Sequence, residues 1–358
     1  MNTSTQSAVA DPVVSATPVA PPAARRLGLS RRLAVQGLAI GAVVLAAGFA
    51  VPYIVLDRFY ISTLFDGLVL AMLALSIGFL ARHLGLISLG HTAFYGSAAY
   101  LVGISATHWG WSPVMAALFG LAGGTVLALL MALLVVRSSG MGFLMLTLAF
   151  GQALYQLSIQ QVAIPYTGAF DGLQISYGSN ASFLGLSVSR MMNAALFWPV
   201  VWTALVLCTV GLWIVGRSKF GTILEGIREN EERMRFSGYN TYWPRVLAFT
   251  ISGLVASLAG VMFALNAAYV SPEVLSFLKA GDSLIAAIIG GLGVLLGPVL
   301  GAMLYIVAQS QLNQSGNLHL YMGALLVIVL MFLPGGILGG LSSLRRRVAR
   351  RNSKDDSK

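Results

Sequence analysis

The densest run of chemically capable side chains lies between Ser218 and Arg245. It begins Ser-Lys-Phe-Gly-Thr-Ile-Leu-Glu-Gly-Ile-Arg-Glu-Asn-Glu-Glu-Arg-Met-Arg-Phe-Ser-Gly-Tyr-Asn. No nucleophile stands beside a base here, and no pair of carboxylates stands apart from the arginines, so the types speak for recognition rather than catalysis. Ser218 or Thr222 can cap a helix start, and Gly238 suits a left-handed stop. Glu229 and Arg233, like Glu231 and Arg235, are spaced i,i+4 and can support an exposed helix. Ile223, Ile227 and Met234 can share a face, with Leu224 beside them. The spacing predicts a short amphipathic helix outside the apolar phase. An apolar stripe between charges is a helix-in-groove ligand. The alternative is a solvated loop with helix-stabilising pairs. The docking candidates are Ile223, Ile227, Arg228, Glu229, Asn230, Glu231, Met234 and Gly238.

A second set of candidates is neutral and polar. Gln152, Gln156 and Gln160 recur every four residues and would form one stripe on a helix. Against lipid such a stripe is costly, so it should face protein or a water-filled path. The alternative is hydrogen bonding between helices, worth under about 1 kcal/mol per contact. Two glycine-rich interruptions fall in apolar sequence: Gly85-Leu-Ile-Ser-Leu-Gly-His91, and Gly290-Gly-Leu-Gly293 with Gly297-Pro298. Such runs break helices. Broken backbone at membrane depth is tolerated only where it packs in protein or lines a cavity. Interrupted segments in corresponding halves mark a binding path, although any one glycine can instead serve close helix packing. The lining candidates are Ser88, Gly90, His91, Thr147, Gln152, Gln156, Gly290, Gly291 and Gly293. His91 can equally be a packed, hydrogen-bonded histidine. Asp66 lies near one end of an apolar run and is assigned no role. With so few charges in apolar sequence, the path is expected to be neutral.

These groups need elements to hold them, and composition says which. Of 358 residues, 57% are hydrophobic and 9% charged, whereas soluble domains carry about 25% charged residues. The chain must sit largely in lipid. Spanning helices need about 20 apolar residues. They are expected at Leu33–Val55, Tyr60–Leu80, Leu84–Ala106, Pro113–Val136, Met141–Val162, Ala194–Val215 and Val246–Tyr269, with further apolar regions at Leu284–Gln309 and Tyr321–Leu341. The fold class is all-α, a polytopic membrane protein with roughly nine to eleven transmembrane or re-entrant helices. Residues 1–32 read as a disordered tail, 33–344 as the membrane domain, 218–245 as an extramembrane loop and 345–358 as a basic tail. The net charge of +10 gathers beside apolar runs, the cytoplasmic excess of Lys and Arg rather than a nucleic-acid surface. Alternating spans place both termini and Arg82, Arg137 and Arg217 inside. An odd number of crossings must then follow the span ending near Ser271, so Leu284–Gln309 must turn back or cross twice. Cys208 stands alone and the four histidines are scattered, with no metal-ligand spacing. No Gly-x-x-x-x-Gly-Lys-Ser/Thr loop exists to cradle ATP.

Several motifs now read together. Arg228-Glu-Asn-Glu-Glu-Arg-Met-Arg-Phe-Ser-Gly238 resembles the cytoplasmic coupling loop of ABC-importer permeases. Ser88-Leu-Gly-His91 followed by Ala93-Phe94-Tyr95-Gly96 resembles a signature of the branched-chain amino acid permease family. So do Thr147-Leu-Ala-Phe-Gly-Gln152, Thr167-Gly-Ala-Phe-Asp-Gly172, and Gly290-Gly-Leu-Gly293 with Gly297-Pro-Val-Leu-Gly301. Ala169 stands where the third pattern usually has glycine. The resemblance covers about Tyr60 to Leu341 and is closest to the second type of membrane subunit in such importers. It implies a transport subunit without cofactor or catalysis of its own, in the bacterial inner membrane. ATP would be hydrolysed by two cytoplasmic partner subunits. A second related permease and a periplasmic substrate-binding protein would complete the assembly. The cargo would be branched-chain amino acids, or alternatively urea, a sugar, a nucleoside or an organic acid. An ion-coupled secondary transporter is the rival class. It would need intramembrane ionisable groups as a relay, and Asp66, Asp282 and His91 supply few.

Overall fold

The computed structural model describes residues 57–178 and 181–312, with residues 46, 48–55 and scattered positions between 320 and 339. The expected tails, most of the span at Leu33–Val55 and most of the region Tyr321–Leu341 lie outside the described residues. Residues 48–54 are helical.

The fold is all-α, as the apolar runs require. Helix α1 (Arg58–Leu84) starts where the Asp57 carboxylate accepts the Phe59 N–H at 2.9 Å, and stops at Gly85, with φ +68°. Glycine takes that left-handed turn without a Cβ clash. Helix α1 is apolar on all sides and almost wholly enclosed, as expected of a helix surrounded by protein. It packs against α5 (Ala194–Arg217), α8 (Tyr242–Ala267) and α10 (Gly297–Leu312). Helices α2 (His91–Trp109), α3 (Pro113–Val135) and α8 form a second tightly packed group. Helix α4 (Gly140–Ser158) lies at the periphery. Leu118, Leu134, Met145, Leu207 and Ile214 point outward from α3, α4 and α5, which suits lipid.

Among the described residues, five helices are long and apolar enough to cross a membrane: α1, α3, α4, α5 and α8. Each matches an expected span. The span expected from Leu84 is displaced, because the chain leaves helix at Gly85 and re-enters it at His91. The region Leu284–Gln309 resolves into two helices, α9 (Phe277–Gly290) and α10, packed on one another. At 14 residues α9 is about 21 Å long, short of the ~30 Å hydrocarbon core, and α10 is described to Leu312. They form a helical hairpin in place of one broken span.

The segment between α4 and α5 carries small structured pieces. Leu173–Gln174 (β1) pairs antiparallel with Tyr269–Val270 (β4), and Ser182–Phe183 (β2) pairs with Leu186–Ser187 (β3). Two short helices, α6 (Lys219–Glu229) and α7 (Glu231–Phe236), follow α5.

Candidate functional site

The first break is a segment whose backbone is satisfied by side chains. From Gly85 to Gly90 the chain is non-helical. The Leu89 N–H donates to Thr147 Oγ1 at 3.3 Å, and the Gly90 N–H donates to Ser88 Oγ at 3.1 Å. Thr147 donates in turn to the Leu144 carbonyl. Ser88 and Thr147 are fully buried. Their hydroxyls are spent on the backbone of the break, which is what apolar surroundings demand of non-helical chain. A Cβ on Gly90 would lie 2.9 Å from the Thr147 carbonyl oxygen, so only glycine lets the break meet α4. The helix break ends one residue earlier than the expected 85–91, since His91 is the first residue of α2.

His91 is fully buried, with Phe94 and Phe249 rings at 5.8 and 5.7 Å. Its Nε2 lies 2.7 Å from Ser252 Oγ, and Ser252 donates to the Ser76 carbonyl at 2.6 Å. Because the Ser252 proton is committed there, the imidazole is the donor, protonated on Nε2. Among the described residues Nδ1 has no partner. His91 thus ties α2 to α8 and α1 through a buried chain of hydrogen bonds.

The second break is made by close backbone approach. Cβ atoms on Gly290 and Gly301 would overlap the carbonyl oxygens of Gly297 and Ala286. Gly291 has φ +105°. The non-helical part is narrower than expected, 291–296, because Gly290 closes α9 and Gly297 and Pro298 open α10. Gly293 is exposed at the tip, with open space about it. The glutamine stripe is shorter than its spacing implied. Gln152 is half-buried and Gln156 exposed on α4, but Gln160 lies past the helix end in a turn.

The charged stretch folds as two helices, not one. Ser218 caps α6, and Gly238 turns with φ +85°, both as expected. Asn230, however, is extended at φ −161° and its side chain accepts the Arg233 N–H at 2.8 Å, capping a second helix. The cap splits Glu229 from Arg233, while Glu231 and Arg235 share α7 without forming an ion pair. Glu231 instead meets Arg245 on α8, at 2.9 and 3.1 Å, and Arg245 also donates to the Ser138 carbonyl at 3.0 Å. The apolar stripe also turns inward. Leu224 and Ile227 are buried in the chain's own core, and Ile223 and Met234 are partly buried against it. The outward surface carries Glu225, Arg228, Glu229 and Phe236, the last 91% exposed. Arg228 donates to the Arg82 carbonyl at the end of α1, so this surface is joined to the central helix.

Sequence reasoning missed two things. Phe236 was passed over because a lone aromatic among charges carries no periodic signal. Lys279 opens α9, ahead of the apolar run, and shares a cavity with Asp66.

These features define a polytopic all-α membrane protein with broken helices and a short, charged helix pair joined to its core. Residues 59–334 match the family described as branched-chain amino acid transport system / permease component, and the chain belongs to that family. It is 28% identical over 279 residues to the high-affinity branched-chain amino acid transport system permease protein LivM of Salmonella typhimurium (strain LT2), covering 71% of this chain and 64% of that protein. LivM of Escherichia coli (strain K12) is 27% identical over 281 residues, with the same shares. The autoinducer 2 import system permease protein LsrC of Photorhabdus laumondii is 26% identical over 152 residues, 41% of this chain and 45% of that protein. The chain thus spans about 64% of the LivM proteins. No solved structure matches it.

Proposed function

We propose that this chain is the permease subunit of an ATP-driven importer in a bacterial inner membrane, moving branched-chain amino acids or related small polar metabolites by alternating access. The α6–α7 pair carries the reading. It is charged and exposed on one side, rooted in the core by Leu224 and Ile227, and bonded through Arg228 to the end of α1. A partner that moves this pair would move the central helix with it. The ATPase would dock on Arg228, Glu229 and Phe236, with Asn230 as the joint between the helices. The similarity to LivM over most of the membrane region supports amino-acid cargo. The shorter similarity to LsrC supports a sugar-like cargo as the second reading.

The partners would be a second related permease, two ATPase subunits and a periplasmic binding protein that delivers cargo. The Arg-rich ends of the apolar runs support a cytoplasmic position for α6–α7 and both termini. The test is co-expression with a candidate ATPase, second permease and periplasmic binding protein from the same organism. A complex should co-purify, and Phe236→Ala should weaken the ATPase's retention while this chain stays folded. A chain that purifies alone, or retention unaffected by Phe236→Ala and Arg228→Ala together, contradicts the docking surface. Uptake of leucine against autoinducer 2 by the purified complex separates the two cargo readings.

A further inference from the structure

A cavity of about 230 Å³ lies where α1, α2, α8, α9 and α10 meet. That is just under the roughly 300–1,000 Å³ of ordinary ligand pockets, the scale of a small metabolite. Its polar lining is Asp66 from α1, Lys279 from α9, Gln309 from α10 and Tyr95 from α2. Its apolar wall is Val69, Leu70, Leu73, Phe263 and Ile306.

The two charges face one cavity without touching. Among the described residues, Asp66 and Lys279 form no ion pair with each other or with any other group. The nearest competitor for Lys279 along its helix is Asp282, and that carboxylate accepts the Tyr305 hydroxyl. Asp66 lies about 12 Å along α1 from its first residue, inside a span. A carboxylate and an ammonium at such depth call for a partner. Neither makes a direct ion pair, although the Lys279 charge acts on Asp66 across the gap, and both open onto the same aliphatic-walled space.

We propose that this cavity is a binding site for a zwitterionic α-amino acid with a branched aliphatic side chain. Lys279 takes its carboxylate, Asp66 takes its ammonium, and the wall of Leu70, Leu73, Phe263 and Ile306 takes the side chain. The inference rests on the permease reading and deepens it. The neutral path expected from the sequence would then have one charged station. The site lies about 24 Å along α1 from Arg82, where Arg228 joins α6 to the central helix. A substrate held there bears on the same helix that the coupling pair grips, from its opposite end.

The experiment is equilibrium binding of radiolabelled L-leucine to the purified complex in nanodiscs, without binding protein or ATP. The wild type should bind. Asp66→Asn and Lys279→Gln should each weaken binding at least about tenfold, the loss of one charge-assisted contact. Lys279→Arg, which keeps the charge, should retain it. Competition should fail with 4-methylpentanoate, which lacks the ammonium, and with 3-methylbutylamine, which lacks the carboxylate. Unchanged elution and unfolding midpoint show that a variant is folded, and Lys279→Gln stands alone if Asp66→Asn is not. Absence of leucine binding in the wild type, or equal binding by the charge-neutral variants, overturns the site. ATP-driven uptake without such binding sinks the site and leaves the permease reading standing. Binding without ATP-driven uptake does the reverse.

Discussion

The pair Glu231–Arg245 ties the coupling helices to the membrane core, and its removal should be felt in stability. Arg245 has a side-chain exposure of 6% and Glu231 of 33%. The guanidinium reaches both carboxylate oxygens and the Ser138 carbonyl in the α3–α4 turn. Thr241 donates to the same carboxylate at 3.0 Å. Breaking a fully buried pair by removing one partner costs about 3–5 kcal/mol, whereas an exposed pair is worth about 0–1. Half-exposed Glu231 puts this pair between those limits. Glu231→Ala should therefore cost about 2–3 kcal/mol, since it strands a buried cation. Arg245→Met keeps apolar bulk and strands only a carboxylate that water can reach, so it should cost less. The double variant strands neither charge and should lose about 2 kcal/mol less than the sum of the two, a factor of about 30 in the folding ratio. Unfolding by sodium dodecyl sulfate in mixed micelles, followed for all four proteins, measures the cycle. Losses that add to within about 0.5 kcal/mol would refute the claim that this pair couples the helices to the core.

Three further outcomes are expected. Ala169 is held at φ +47°, which costs an L-residue about 1–2 kcal/mol, while glycine loses about 0.5–1 in added freedom; Ala169→Gly should raise stability by up to about 1.5 kcal/mol, read as a raised unfolding midpoint, and a lowered midpoint contradicts the left-handed assignment. Ser252→Ala removes the acceptor of the buried His91 Nε2–H and should cost about 1–3 kcal/mol, so an unchanged midpoint would mean His91 is satisfied elsewhere. In a Cys208→Ser background, Phe236→Cys should react with a membrane-impermeant maleimide only from the cytoplasm and Leu184→Cys only from the outside. Labelling of both from one side refutes the alternation of spans.

Glycine made much of this fold readable. A run such as Gly290-Gly-Leu-Gly293 can hardly continue a helix in lipid, so both breaks were legible to within a residue or two. Long apolar runs bounded by Arg82, Arg137 and Arg217 fixed the spans equally well. The charged stretch was legible as helical and amphipathic but not in detail. Asn230 is a strong helix cap as well as a tolerable helix residue, and the sequence does not say which use prevails. Once it caps α7, Glu229 and Arg233 no longer share a helix. The direction of the apolar stripe was illegible for a different reason. Ile227 on an amphipathic helix looks the same whether the groove belongs to a partner or to the chain's own bundle. Lys279 escaped notice because its meaning depends on Asp66, far along the chain, and only the packing of α1 against α9 and α10 brings the two to one cavity.

The central claim is that ATP, and not an ion gradient, drives cargo past these broken helices. Its most direct test is leucine uptake into proteoliposomes carrying the complete complex, with ATP sealed on the α6–α7 side and loaded binding protein on the other. Proton and sodium ionophores are added together. Uptake should persist after both gradients collapse and stop when a non-hydrolysable ATP analogue replaces ATP. Uptake that dies with the gradients while ATP remains, or that continues without hydrolysis, would contradict the account.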